Sequence, residues 1–168
     1  EAAVPVLVKV LEDVKQEPMV RHEAAEALGA IASTETLPIL EKYSKDLIPE
    51  VAETCQLALG RINWLKQDEK IPENPYYSVD PTPPSISTDV EELKKILLDE
   101  TAALFDRYRA MFALRNLKSQ EAVLGLSLGL TAGSALFRHE IAFVLGQIQD
   151  EASVPYLQAS LEDCGENE

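Results

Sequence analysis

The chain has 168 residues, enough for one domain or two small ones around a buried core. Hydrophobic residues make up 46% of it but aromatic residues only 6%, so Ala, Leu, Val and Ile must supply the core, which favours packed helices over a β-sandwich. A net charge of −14 disfavours nucleic acid, which needs clustered Lys and Arg, and suits a basic protein or amine partner, unless the acidity serves only solubility. Two cysteines, Cys55 and Cys164, are too few for a disulfide framework. No signal peptide, lipidation motif or apolar run of bilayer length is recognisable, so the expectation is a cytoplasmic location without membrane contact. The chain begins at Glu1 and stops at "LEDCGENE", which reads as an excerpt of something longer.

Hydrophobic spacing predicts helices near 2–14, 20–31, 35–46 and 51–62 in the first part of the chain. Pro5 and Pro38 fall early in the first and third of these, where a missing N–H costs little. The segment 67–87 then carries Pro72, Pro75, Pro81, Pro83 and Pro84, a density that forbids helix and favours extended chain. Thr88 followed by Glu91 reads as a capping box that restarts the helices. Further helices are predicted near 89–99, 106–117, 119–130, 137–148 and 151–162.

The helices repeat. "RHEAAEALGAIASTETLPIL" at 21–40 aligns with "RHEIAFVLGQIQDEASVPYL" at 138–157, and fainter copies lie at 51–62 and 106–117, each displaced by 31 residues. The unit is a helical hairpin, so the expected fold is all-α: an α-solenoid of HEAT-like hairpins in two halves, 1–66 and 88–168, joined by the Pro-rich linker 67–87. The linker is either a plain spacer or a strap that lets the halves face each other.

Both histidines of the chain sit inside the repeated Arg-His-Glu. At 100° per residue, Ala24, Ala27, Leu28 and Ile31 form the apolar stripe of one copy, and Ile141, Val144, Leu145 and Ile148 that of the other. His22 and His139 fall off those stripes. Each is flanked by small residues, Ala25 and Gly29 or Ala142 and Gly146, which leave room for something to approach. The two sister helices carry Glu53 and Tyr108 at the His position, so packing does not demand a histidine there. Imidazoles with carboxylates are the donor types of non-haem iron; zinc is an alternative on bare spacing, and a surface histidine copied by duplication is another. No phosphate loop, Cys-x-x-Cys or nucleophile elbow is present.

The stretches "VRHEAAEALGAI", "EVAETCQLAL", "PYYSVDPTPP", "RYRAMFALRNL" and "ALFRHEIAFVLGQIQDEA" resemble the deoxyhypusine hydroxylases, in that family's order and along nearly the whole chain. The resemblance implies two halves of helical hairpins around a di-iron centre. It implies oxygen-dependent hydroxylation of the deoxyhypusine side chain on the hypusine-carrying translation factor. A complete member has four His-Glu motifs and two irons; this chain has two motifs. The resemblance makes His22, Glu23 and His139 iron ligands and Glu140 a residue that holds the substrate amine. With ligands missing, the chain alone is expected to be free of iron or only partly loaded, and inactive. The competing readings are a non-catalytic HEAT-type interaction module and a solenoid lyase or zinc binder.

Overall fold

The structure is a computed structural model that describes residues 2–67 and 74–165. Among these it is all-helical, without a strand, and helical hairpins stack in the manner of an α-solenoid. The described residues fall into two compact units, 2–67 with 79–83 and 74–78 with 84–165. Residues 68–73 of the expected linker, Pro72 among them, lie outside the described residues.

The first unit holds two hairpins. Helix α1 (Val4–Glu12) pairs with α2 (Pro18–Ile31); a 3₁₀ turn and α3 (Leu37–Tyr43) pair with α4 (Pro49–Trp64). Proline starts these elements repeatedly: Pro5 and Pro38 lie in the first turns of α1 and α3, and Pro18 and Pro49 open α2 and α4. Each position would have left an N–H unpaired in any case. Leu11, Leu28, Leu40, Val51, Cys55 and Ile62 are fully buried between the helices. In the second unit α5 (Val90–Leu98) pairs with α6 (Leu104–Leu117), α7 (Gln120–Ser127) with α8 (Ala135–Ile148), and α9 (Val154–Glu162) follows. The cap of α5 is Asp89, whose carboxylate accepts the Glu92 N–H at 3.1 Å, rather than Thr88; the capping pattern runs one residue later than predicted. A carboxylate outranks a threonine hydroxyl as an N-cap acceptor.

The stack of α2 on α4 is close. A Cβ added to Gly29 would sit 2.8 Å from the Cβ of Ala58, inside contact distance. The matching glycine of α8, Gly146, has nothing within 4 Å of the same built position. Two of the repeated arginines, Arg21 and Arg107, each join the two helices of a hairpin, while Arg138 donates to the carbonyl of Gly133 just ahead of its own helix at 2.7 Å. Arg21 Nε donates to the carbonyl of Leu11, at the C-terminal end of α1, at 2.9 Å, and Arg107 Nε donates to the carbonyl of Leu97, at the end of α5, also at 2.9 Å. A guanidinium there satisfies an orphan carbonyl and meets the negative end of the helix dipole. Arg21 also pairs with Asp46 at 2.5 Å, with both side chains almost wholly out of solvent. Burial alone would raise the Asp46 carboxyl. The hydrogen bond and charge of Arg21, with the N–H groups of Ile48 and Leu47, outweigh burial and hold it below its ordinary range.

The Pro-rich segment is tied down where it is described. In the second unit Arg115, fully buried on α6, donates to Asn74 Oδ1 at 3.1 Å and to Gln147 Oε1 at 3.0 Å, and stacks 4.6 Å from the centre of the Tyr76 ring. In the first unit Arg61 of α4 donates to the carbonyl of Asp80 at 2.8 Å. Within each unit, these contacts fix Asn74, Tyr76 and Asp80 to a helix.

The two glycines should respond oppositely to alanine. Gly29→Ala must push α2 from α4 and should cost about 1–3 kcal/mol. Gly146→Ala meets open space and should be neutral or stabilising by up to about 1 kcal/mol. Urea midpoints measure both. Asp46→Ala should cost about 3 kcal/mol at neutral pH by leaving the Arg21 charge buried. Because the folded Asp46 pKa lies below the unfolded one, its contribution is present above the ordinary carboxylate range and lost as pH falls through the folded value. The gap between parent and variant should therefore close below about pH 4.

Candidate functional site

Helix α2 carries His22 because its sequence is that of a second helix of a hairpin, flanked on one side by α1 and on the other by α4. Its buried residues are Arg21, His22, Ala24, Ala25, Leu28 and Gly29. The predicted stripe is thus rotated: Ala27 is half-buried and Ile31 is exposed, while the supposedly open side with His22, Ala25 and Gly29 is closed by α4. His22 is 8% exposed. The expectation of free space beside it is corrected by the helix that follows one repeat later, whose approach needs those small residues. On α8 three residues of the predicted stripe, Ile141, Val144 and Leu145, are buried and the fourth, Ile148, is half-buried. There His139 is exposed and Gly146 open, since no described element of the second unit lies against that side.

Tyr108 of α6 occupies the position equivalent to His22. It is 1% exposed and meets Phe137 of α8 edge-on, with centroids 5.5 Å apart. The His position is therefore an inter-repeat packing position, filled by an aromatic ring in one hairpin and by an imidazole in another. Glu53, the other equivalent, is half-buried on α4.

The surroundings of His22 are polar on two sides. Its Nδ1 lies 2.5 Å from Thr54 Oγ1 of α4, and Thr54 Oγ1 in turn donates to the carbonyl of Glu50 at 2.8 Å. Its Nε2 lies 3.7 Å from Glu26 Oε2, one helical turn along α2. The Glu26 carboxyl is raised above its ordinary value, first by burial and then by the neighbouring charge of Glu23. Glu23 itself is exposed. Sequence reading did not single out Glu26 or Thr54. The first had a visible cue, its i, i+4 spacing from His22. The second had none, because it comes from another repeat.

In the first unit His22 thus meets Glu26 and Thr54 while Glu23 is exposed beside them in sequence, and His139 and the half-buried Glu140 lie side by side in sequence on α8 of the second. Among the described residues no three His, Cys, Asp or Glu side chains converge into a set able to hold a metal ion. The donor types beside each other here, the His22 imidazole and the Glu26 carboxylate 3.7 Å from its Nε2, are those of part of a non-haem iron sphere. Cys55 is no candidate ligand, because burial and then the Asp46 charge push its thiol up to about 12, and it stays protonated. No described helix is long and apolar enough to cross a membrane.

Comparison with known proteins agrees with the repeat reading. Residues 1–71 match the HEAT repeats, and residues 137–163 match the PBS lyase HEAT-like repeat. The chain is 61% identical over 167 residues to a deoxyhypusine hydroxylase of Gallus gallus, covering 99% of the chain and 56% of that relative. It is 60% identical over 166 residues to the deoxyhypusine hydroxylase of Homo sapiens, covering 98% of the chain and 55% of the relative. The solved structure of human deoxyhypusine hydroxylase in complex with glycerol aligns with a TM-score of 0.93 at 59% identity, over 99% of this chain and 58% of that one. The chain spans about half the length of the curated relatives it matches, and over that span it is similar in sequence and in fold to deoxyhypusine hydroxylases.

Proposed function

We propose that this chain is part of a deoxyhypusine hydroxylase, a di-iron monooxygenase that hydroxylates the deoxyhypusine side chain of the hypusine-carrying translation factor with molecular oxygen. The observation that carries the reading is the unbroken similarity to proteins of that name across 99% of the chain, both Arg-His-Glu helices included. Bound iron supplies the activation of oxygen that a saturated C–H bond requires. In this reading two irons serve the complete protein, and His22, Glu23 and His139 are ligands. The α2–α4 stack holds the His22 ring in one place, and the Glu23 and Glu26 carboxylates beside it favour a cation. Glu140 holds the amine of the substrate, a polyamine-like cation suited to a chain of net charge −14.

A second reading is favoured by one observation. His22 is buried and hydrogen-bonded to Thr54, the condition of a histidine kept for packing in a non-catalytic HEAT-type module. Iron content separates the two. In a protein of the relatives' full length carrying this sequence, His22→Ala should lose about one of two irons, and Glu140→Ala should keep both while weakening binding of the deoxyhypusine-containing factor by about tenfold or more. Unchanged iron in His22→Ala defeats the ligand assignment, and iron loss in Glu140→Ala makes that residue a ligand instead.

A further inference from the structure

His22 and Thr54 belong to different repeats, and nothing in the repeat pattern assigns Thr54 a task. At its position α2 carries Glu23, α6 Arg109 and α8 Glu140. In α4 the threonine is 3% exposed and lies across the helix interface from the imidazole. The hydroxyl has a single proton. The carbonyl of Glu50, 2.8 Å from Thr54 Oγ1, can only accept, so that proton is directed at it. Were the hydroxyl instead to donate to His22, two acceptor oxygens would face each other at hydrogen-bond distance. Thr54 Oγ1 therefore accepts from His22, and at 2.5 Å the donor is Nδ1–H.

We infer that Thr54 is a positioning residue that fixes His22 as the Nδ1–H tautomer, with the Nε2 lone pair on the side of the Glu26 carboxylate. A neutral imidazole has one N–H, so a proton held at Nδ1 leaves Nε2 as the electron-pair donor. Glu26 works in the opposite direction. Its carboxylate, 3.7 Å from Nε2, would draw an N–H onto that nitrogen if Nδ1 had no acceptor. The threonine thus decides which end of the ring carries the proton, and the chain Glu50 carbonyl, Thr54 hydroxyl, Nδ1–H, Nε2 is the arrangement of an outer partner that orients a metal-binding imidazole. The use of the lone pair for iron rests on the ligand assignment proposed above; the tautomer does not.

With only two histidines in the chain, nitrogen-15 NMR of the ring nitrogens reads the tautomer directly, and His139→Gln identifies the His22 signals. In metal-free protein at mildly alkaline pH, where an ordinary imidazole is neutral, His22 should show a protonated Nδ1 and a bare Nε2. Thr54→Val keeps the side-chain shape and removes the acceptor, and the proton should move to Nε2. Thr54→Ser should keep the parent pattern, with circular dichroism confirming the fold of all three. A bare Nδ1 in the parent, or a Thr54→Val spectrum unchanged from it, overturns the inference. In a protein of the relatives' full length, Thr54→Val should weaken ferrous iron binding by about 10–100-fold, measured by anaerobic chelator competition. A tautomer switch in Thr54→Val with unchanged iron affinity would leave Thr54 in its role and remove His22 from the iron site.

Discussion

The contact on which the site depends is the approach of α2 to α4 at Gly29 and Ala58. Two residues with almost no side chain let the helix backbones come closer than any larger pair would allow. At that separation a threonine on one helix reaches an imidazole on the other, and His22 passes from the outside of a helix into an interface. A wider spacing would insert water between Nδ1 and Oγ1 and free the ring to rotate. Packing and chemistry are the same event here.

The three residues of Arg-His-Glu separate into different duties once the helices are stacked. The arginine is architecture. Arg21 and Arg107 make the same bond to the end of the preceding helix, although the residue after Arg107 is Tyr108 and not histidine, and Arg138 ties the loop ahead of α8 through the Gly133 carbonyl. The histidine position belongs to the seam between successive second helices, which α6 fills with an aromatic ring packed on Phe137. At the glutamate position, Thr54 of α4 meets the Nδ1 of His22 on α2, whereas Glu23, the histidine's own neighbour, is exposed. One motif thus shows two environments. His22 has a following helix against it and is enclosed, whereas His139 has none in the described second unit and is exposed.

Much of the fold was legible because it is written as local periodicity. Helix positions, the hairpin repeat and the prolines in first turns follow from spacing and backbone chemistry that involve only near neighbours. The N-cap of α5 lies one residue later than the sequence pattern suggests, since Thr88 and Asp89 are both capping types and the carboxylate is the better acceptor. The apolar stripe of α2 was misjudged for a plainer reason. Small residues mean either space for a visitor or a place for another helix, and the difference is the presence of α4, which no window on α2 contains. On α8, with no such partner among the described residues, the predicted stripe is the buried side, save for the half-buried Ile148 at its end.

By itself the sequence determined the helical repeat, the two His-Glu pairs and the likeness carried by its motifs, because each is a pattern within one helix or a comparison between like segments. Only the tertiary structure decided what surrounds the pairs. Glu26 and Thr54 reach His22 from one turn along the same helix and from a helix 32 residues further on, and the hydroxyl's single proton, committed to the Glu50 carbonyl, settles which nitrogen of the ring donates. Hydrogen-bond direction is a property of three groups in fixed geometry, and that geometry exists only after the repeats have packed.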